Sequence, residues 1–326
     1  MTNKNNDLSP DIMNPDSRSD APTDKMITIL GPTASGKTNF AVHLASKING
    51  EIISADSRQI YRGMDLGTGK DLEDYTIEGT KIPYHLIDIR PAGDKYTLFD
   101  YHQDFHRVYN NILDRGKTAV LCGGTGLYIE SVIQGYQLPD VPKNEELRKA
   151  LQKKPQEELI QLLASYQSLH NTTDTDNPKR TIRAIEIADF KSKQKIEQLA
   201  FPPVDAVIFG INIDRETRRN RISSRLKKRL EEGMIDEVRQ LLDQGVSAED
   251  LIYYGLEYKF LTFYVIGKIS YDAMFTQLEI AIHQFAKRQM TWYRGMKKRG
   301  LHIHWIDYAL PMEEKVEKAL QIISEY

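Results

Sequence analysis

Eight residues near the start of the chain constrain its fold more than any other feature. Gly31 to Thr38, GPTASGKT, match the pattern G-x-x-x-x-G-K-[ST] of a phosphate-binding P-loop. They follow a β-rich apolar run from Met26 to Leu30 and precede a helical pattern. This context predicts backbone N–H groups turned toward a polyphosphate, with Lys37 as its cation and the Thr38 hydroxyl as a ligand for Mg²⁺. The motif does not distinguish ATP from a diphosphate ester.

Further apolar runs alternate with helical patterns along the chain. Strand-like runs occur at residues 26–30, 52–55, 85–89, 118–122 and 207–211, with a short last run at 302–306. Strands that alternate with helices predict a parallel α/β sheet, here a P-loop NTPase-like core of residues 25–140 and 204–326. Residues 141–203 are polar and helical in pattern, and we predict a helical insertion domain there. A basic helix is expected at about 215–244, and a long helix at about 271–292.

Composition excludes several classes of protein. The 326 residues are 40% hydrophobic, enough to bury a core, so a wholly disordered chain is excluded. No apolar stretch approaches the roughly 18 residues of a membrane span, and the first residues lack the profile of a signal peptide. One cysteine excludes a disulfide framework and a multi-cysteine zinc site. We expect a cytoplasmic protein without a membrane partner, acting as a monomer.

The formal net charge of −2 conceals an uneven distribution. Residues 1–24 carry five aspartates against one lysine and one arginine, and their composition predicts a disordered acidic tail. Eight basic residues against one acid fall within 215–229, and six basic residues with no acid fall within 284–299. Such clusters favour an anionic partner such as a nucleic acid, although a basic helix face is often simply solvated.

A second group of polar residues follows the next predicted strand. Asp56, Ser57, Arg58 and Gln59 stand at its carboxyl end, the edge where open α/β sheets bind ligands. A carboxylate there either ligates Mg²⁺, as in a kinase, or acts as a base for an incoming nucleophile, and spacing does not decide between these roles. The glycines at 123–126 either allow close approach of a ligand or form only a tight turn.

Six segments stand in one order along the chain: GPTASGKT (31–38), EIISADSRQIYRGMDLGTGK (51–70), YHLIDI (84–89), GGTGLY (123–128), NPKRTIRAIE (177–186) and AKRQMTWYR (286–294). Together they resemble the tRNA dimethylallyltransferases, over about residues 25 to 307. The resemblance implies an enzyme that transfers a dimethylallyl (isopentenyl) group from dimethylallyl diphosphate to N6 of the adenosine 3′ of the anticodon in tRNA. Diphosphate is the second product.

The resemblance also implies roles for individual residues. Lys37 and Thr38 neutralise the diphosphate directly or through Mg²⁺, and Asp56 orients N6 and takes its proton. Arg221 stabilises the leaving diphosphate, with Arg225 one helical turn further on. The P-loop residues implied in binding the diphosphate are Gly31, Thr33, Ala34, Ser35, Gly36, Lys37 and Thr38.

Contacts to the tRNA anticodon loop follow from the same resemblance. An unpaired base leaves its stack most easily in such a loop, and the helical insertion would close over it. We expect Lys287 and Arg288, on the long helix, to meet phosphates as well. The matching positions are Asp56, Ser57, Arg58, Gln59, Thr125, Arg148, Lys179, Arg180, Thr181, Ile182, Arg183, Tyr258 and Lys259.

Two segments depart from the family's pattern. Members usually carry Gly-Tyr-Lys-Glu after the basic helix, whereas this chain has Glu257 in place of the glycine and Phe260 in place of the acid. The insertion between Pro155 and Asn177 lacks the usual L-H-x-x-L-x-x-x-D-P pattern. We expect local tRNA contacts and packing to differ there.

Three other functions compete with this interpretation. A P-loop kinase accounts for the phosphate site, but not for the second basic cluster or for residues 179–183. An enzyme that prenylates free adenine nucleotides needs neither the insertion nor the segment 286–294. A non-catalytic RNA-binding module is disfavoured by the intact Lys37, Thr38 and Asp56.

Overall fold

The computed structural model describes residues 25–136, 138, 141–166, 173–193 and 201–326, so the predicted acidic tail at 1–24 lies outside the described residues. The strands are β1 (Met26–Leu30), β2 (Gly50–Ser54), β3 (Tyr61–Arg62), β4 (Thr76–Ile77), β5 (Thr80–Lys81), β6 (Tyr84–His85), β7 (Arg90–Pro91), β8 (Thr118–Gly123), β9 (Ala206–Asn212) and β10 (His304–Asp307). The helices are α1 (Lys37–Lys47), α2 (Leu98–Asp114), α3 (Gly126–Ile133), α4 (Glu145–Leu151), α5 (Gln156–Tyr166), α6 (Pro178–Lys193), α7 (Arg215–Glu231), α8 (Met234–Asp243), α9 (Ala248–Tyr254), α10 (Leu256–Val265), α11 (Tyr271–Lys298) and α12 (Met312–Ile323). Two 3₁₀ turns lie at Leu72–Tyr75 and Thr173–Thr175.

Six strands form one parallel sheet in the order β10-β9-β1-β8-β2-β6. The central strand β1 lies between β9 and β8, and β8 separates it from β2. The strands β1, β2 and β8 are buried along their whole length, since apolar clusters pack on both faces of the sheet. Because the carboxyl ends of parallel strands share one edge, the loops after β1, β2 and β8 become neighbours. The predicted parallel α/β fold is confirmed.

The third predicted strand is wrong in its extent, because only Tyr84–His85 pair with β2. Leu86 and Asp88 adopt φ values of 61° and 57°, in the left-handed region, so the chain leaves the sheet after that pair. The carboxylates of Asp65 and Asp88 both contact the buried ammonium of Lys70. Apolar periodicity does not report a turn that is held by a buried ion pair.

The basic stretch predicted as one helix forms two. The first, α7, ends at Glu231, and α8 begins at Met234 after Gly233, which adopts a φ of 101°. The long helix α11 has 28 residues and continues beyond its predicted end to Lys298. No helix in the described part of the chain is long and apolar enough to cross a membrane.

Residues 141–203 contain a small helical unit with an apolar core of its own. Within the described residues of this range, α4, α5, α6 and one 3₁₀ turn are the only regular elements. The core of the unit consists of Leu151, Leu159, Leu163, Ile182, Ile185 and Ala188. The unit therefore has its own packing. Along the chain it is inserted between α3 and β9.

The glycine-rich loop after β3 is held in place by Glu237 of α8. One carboxylate accepts the backbone N–H groups of Asp65 (2.8 Å), Leu66 (2.7 Å) and Gly67 (3.0 Å). The same carboxylate accepts the hydroxyl of Tyr258 at 2.6 Å. A single side chain thus fixes three consecutive peptide groups of this loop.

Replacement of Glu237 by Ala is expected to lower the free energy of unfolding by about 2–4 kcal/mol, because several partly buried donors lose their acceptor. Glu237→Gln keeps acceptor oxygen and should lose less. Urea denaturation measures both effects. The matched control is Asp236→Ala, which removes an exposed carboxylate from the same helix turn. Equal losses for the Glu237 and Asp236 variants would contradict this role.

Two histidines of α2 are packed against Phe201. Burial lowers the pKa of His102 to about 4, with a smaller effect from the neighbouring His106, and burial lowers the pKa of His106 as well. In the unfolded chain a histidine titrates near pH 6.5. The unfolded state therefore binds more protons below that pH, so the free energy of unfolding should fall as the pH drops from 6.5 toward 4.

Replacement of His102 by Gln removes one of these two groups. Denaturation at about pH 7 and pH 5 should therefore show a smaller fall in the free energy of unfolding for His102→Gln than for the wild-type protein.

Candidate active site

A cleft of about 810 Å³ opens at the carboxyl edge of the sheet, where β1, β2 and β8 end. Residues of α7, α10 and α11 form its opposite wall. Of the predicted site residues, the cleft is lined by Thr33, Ala34, Gly36, Lys37, Thr38, Asp56, Ser57, Arg58, Gln59, Thr125, Arg221, Arg225 and Arg288. The fold thus brings the P-loop, the Asp56 segment and both basic clusters to one cavity.

The P-loop forms a tight turn at the start of α1. Gly36 precedes the helix with a φ of 80°, a conformation that favours glycine. Lys37, the first helical residue, is half-buried, and desolvation lowers the pKa of its ammonium while the charge of Asp56 opposes that shift. Among the described residues the ammonium has no hydrogen-bond partner. A cation and the unpaired N–H groups of a helix N-terminus therefore meet in the cleft.

Two predicted P-loop residues shape the turn and do not line the cleft. The Ser35 side chain is buried, and a Cβ placed on Gly31 would lie 2.6 Å from its hydroxyl oxygen. From α11, Gln289 accepts the Thr33 N–H and donates to the Gly124 carbonyl, both at 2.9 Å. The hydroxyl of Tyr293, also on α11, lies 3.1 Å from the carbonyl oxygens of both Gly31 and Gly124. Two side chains of α11 therefore hold the P-loop and the glycine turn after β8 at a set separation.

Asp56 follows β2 in a turn that is tied to the end of β8. Its Oδ1 accepts the backbone N–H of Arg58 at 3.0 Å. The N–H of Ser57 donates to the Thr125 hydroxyl at 3.0 Å, and the Thr125 N–H donates to the Ala55 carbonyl at 3.0 Å. The carboxylate is oriented by its own turn, and its Oδ2 makes no hydrogen bond to the described residues.

The two arginines of α7 that line the cleft differ in their partners. Arg225 donates to Asp71 Oδ2 at 3.1 Å, and Arg229 donates to the other oxygen of Asp71 at 2.6 Å. Arg221 instead donates through Nε to the P-loop carbonyl of Ala34 at 2.9 Å. It makes no ion pair with any described carboxylate, so its charge beside the P-loop is the less compensated of the two.

Comparison with known proteins decides the family. A family model described as IPP transferase matches residues 59–296. The chain belongs to this family. It is 61% identical over 301 residues to the tRNA dimethylallyltransferase 2 of Bacteroides fragilis, covering 92% of this chain and 98% of the relative. A second tRNA dimethylallyltransferase 2, from Porphyromonas gingivalis, is 62% identical over 297 residues, which cover 91% and 98% of the two chains.

Solved structures agree with this assignment. The tRNA isopentenylpyrophosphate transferase of Bacillus halodurans superposes with a TM-score of 0.69 at 30% identity, covering 93% of this chain and 96% of that one. A eukaryotic dimethylallyltransferase acting on tRNA superposes with a TM-score of 0.77, covering 93% and 80% of the two chains. At 20% identity, the second match supports the fold alone.

Most of the predicted tRNA contacts fall into three groups. Asp56 to Gln59, Thr125 and Arg288 line the cleft. Lys179, Arg180 and Lys287 are exposed on α6 and α11, away from the cleft lining. Thr181, Ile182 and Tyr258 are buried, two of them in or beside the core of the insertion and one beneath the loop after β3. Direct contact of these three side chains with tRNA does not fit their burial.

The remaining predicted contacts are already engaged within the protein. Arg148 and Arg183 both bind the buried carboxylate of Glu186, Arg148 at 2.8 Å. Lys259 lies 5.3 Å from the ring centre of Phe260. The Arg148 and Arg183 side chains stabilise the insertion through Glu186, and the tRNA contacts of these three residues stay a prediction.

Several cleft residues were not predicted as site residues. Phe285 and Trp292 line the mouth on the same face of α11 as Arg288, and both are partly exposed. The indole ring of Trp292 packs directly against the backbone at position 126, which is possible because that residue is glycine. A Cβ there would lie 2.4 Å from the ring. Phe285 and Trp292 are spaced three and four residues from Arg288 on α11, so all three lie on one face of the helix. This spacing is the sequence signal that could have identified the two aromatic residues.

Glu257, noted above as a departure from the family's pattern, also lines the cleft. Burial raises the pKa of its carboxyl, and the positive charges of Arg58 and Arg225 oppose that shift. The substitution therefore adds an acidic group to the cavity wall, close to Asp56 and to the arginines.

Proposed function

We propose that this protein transfers a dimethylallyl group from dimethylallyl diphosphate to N6 of the adenosine 3′ of the anticodon in tRNA. The observation that carries the proposal is one cleft that holds both the P-loop, which follows β1, and an oriented carboxylate, Asp56, which follows β2. Only β8 lies between these two strands in the sheet. The relatives named tRNA dimethylallyltransferase support it.

The reaction needs a poor nucleophile held in line with an allylic carbon. The lone pair of an adenine N6 amine is delocalised into the ring, so positioning supplies much of the rate. As the N6–C1 bond forms, the C1–O bond breaks and its electron pair leaves with the diphosphate. The proton lost from N6 passes to Asp56, whose Oδ2 has no hydrogen bond to the described residues. Its turn keeps the carboxylate oriented throughout.

The leaving diphosphate gains negative charge as it departs, and cations aimed at it lower the barrier. Lys37 and Arg221 supply this charge from two directions, the first at the helix N-terminus and the second from α7 across the P-loop. Arg225, which shares Asp71 with Arg229, contributes from the next turn of α7.

The Thr38 hydroxyl fits a Mg²⁺ ion that is held mainly by the substrate. It lines the cleft and makes no hydrogen bond to a described residue. Among the described residues no cluster of three or more His, Cys, Asp or Glu side chains is arranged to hold a metal. Mg²⁺ keeps several waters and binds few protein oxygens together with phosphate oxygens. The ion would neutralise the diphosphate, and Thr38 would orient it.

The mouth of the cleft suits a nucleic acid. Arg288 and Lys228 place positive charge there, and the partly exposed rings of Phe285 and Trp292 line the same cleft. Unstacked bases pack on aromatic rings and arginine side chains of this kind.

Incubation of the protein with unmodified tRNA and dimethylallyl diphosphate, followed by mass analysis of the nucleosides, tests the proposal. The expected product is an adenosine heavier by one dimethylallyl group, together with diphosphate. Calorimetric titration with ATP and with dimethylallyl diphosphate separates this enzyme from a kinase. Tight ATP binding without a response to the allylic diphosphate would overturn the proposal.

A further inference from the structure

Arg221 is held by a residue outside the cleft. Besides its bond to the Ala34 carbonyl, its guanidinium contacts the hydroxyl of Tyr308 and lies 4.9 Å from the centre of that ring. Tyr308 does not line the cleft and stands one residue beyond β10, at the same carboxyl edge of the sheet as the P-loop. The contact therefore links the end of an edge strand to a cleft arginine.

Tyr308 is itself fixed in place. Its backbone N–H donates to the Asn212 carbonyl at the end of β9, at 2.8 Å. The ammonium of the buried Lys315 on α12 lies 5.2 Å from the centre of the same ring. Two cations thus contact one aromatic ring, an arrangement in which the ring quadrupole attracts each of them.

The hydrogen bonds of Arg221 leave most of its donors free. A guanidinium has five N–H donors, and the described residues accept two of its hydrogen bonds, one at Ala34 and one at Tyr308. Both acceptors are uncharged, so they orient the group without neutralising it. An arginine held in this way presents its remaining donors and its charge to an anion in the P-loop.

We infer that Tyr308 is a positioning residue, which holds Arg221 against the P-loop so that it contacts the diphosphate as this group leaves. The inference rests on the proposed function, in which Arg221 stabilises the departing diphosphate. Tyr308 touches neither substrate and acts only through Arg221. The ring sets the place of the guanidinium, and the hydroxyl sets its orientation.

A double-mutant cycle tests the inference. Tyr308→Leu is expected to lower kcat/KM for dimethylallyl diphosphate about 10-fold or more, since small misplacements of a charged group near the reacting atoms slow transfer strongly. It should also weaken the binding of inorganic diphosphate, while the KM for tRNA stays unchanged. Tyr308→Phe keeps the ring, loses only the hydroxyl contact, and should show a smaller decrease. In the Arg221→Ala background, Tyr308→Leu should add less than about a 2-fold effect.

The matched control is Tyr326→Leu. Tyr326 also has a lysine against its ring, Lys25 at 4.8 Å, but does not line the cleft or contact Arg221. A full effect of Tyr308→Leu in the Arg221→Ala background, or unchanged kinetics for both Tyr308 variants, would overturn the inference. Unchanged kinetics of Arg221→Ala alone would instead overturn the role proposed for Arg221. If Tyr308→Leu does not fold, Tyr308→Phe carries the same cycle.

Discussion

Asp56→Asn is expected to reduce the rate of dimethylallyl transfer by about 10²–10⁴-fold, the usual contribution of a positioned general base. Asparagine retains an oxygen that accepts the Arg58 N–H, so the turn after β2 should survive the change. What disappears is the acceptor for the N6 proton. Single-turnover transfer with saturating tRNA and dimethylallyl diphosphate measures the rate.

The same variant should bind tRNA within a few fold of wild type, because phosphate contacts dominate such interfaces and one cleft carboxylate adds little to them. Asp74→Asn is the matched control, since it changes another carboxylate that lines the same cleft. Its transfer rate should stay near that of the wild-type protein. Turnover by Asp56→Asn at a near-normal rate would remove Asp56 from the role of base.

Lys37→Met is expected to slow transfer by about 10²–10³-fold and to weaken the binding of inorganic diphosphate in parallel. The half-buried ammonium has no hydrogen-bond partner among the described residues, and burial already lowers its pKa, so a bound diphosphate meets a charge that is poorly solvated. Such a charge interacts more strongly than one exposed to water. Calorimetry with diphosphate and single-turnover kinetics measure the two effects.

Lys47→Met is the control for Lys37→Met. It removes an exposed lysine from the last turn of the same helix, where no part of the cleft is formed. The control should bind diphosphate and transfer the dimethylallyl group normally. Tight diphosphate binding by Lys37→Met would show that the P-loop backbone and the arginines hold the ligand without this lysine.

The parallel sheet and the phosphate site were predictable because they follow from short-range patterns. The apolar runs of β1, β8 and β9 are buried on both faces, so each reads as a continuous run. The P-loop lies within eight consecutive residues. The early end of the strand predicted at 85–89 was not predictable, because the turn that follows it includes a contact of Asp88 with Lys70, 18 positions earlier in the chain.

For the predicted tRNA contacts, the resemblance to a family identifies a segment but not which of its side chains are exposed. Thr181, Ile182 and Tyr258 match positions of the family's tRNA-contacting segments, yet their side chains are buried. A segment of helix has an inward and an outward face, and a matching run of residues includes both. The burial of each side chain depends on what packs against it.

Local sequence was sufficient for the P-loop and for the carboxylate after β2, since each of these depends on residues close together in the chain. The family resemblance needed only six short segments and their order along the chain. Tertiary structure alone decided which distant side chains hold the residues of the cleft in place. Gln289 reaches the P-loop across 256 positions of sequence, and Tyr308 reaches Arg221 across 87. The packing of α11 on the sheet and the pairing of β10 with β9 create these contacts, and no pattern along the chain encodes a distance between elements that meet only after folding.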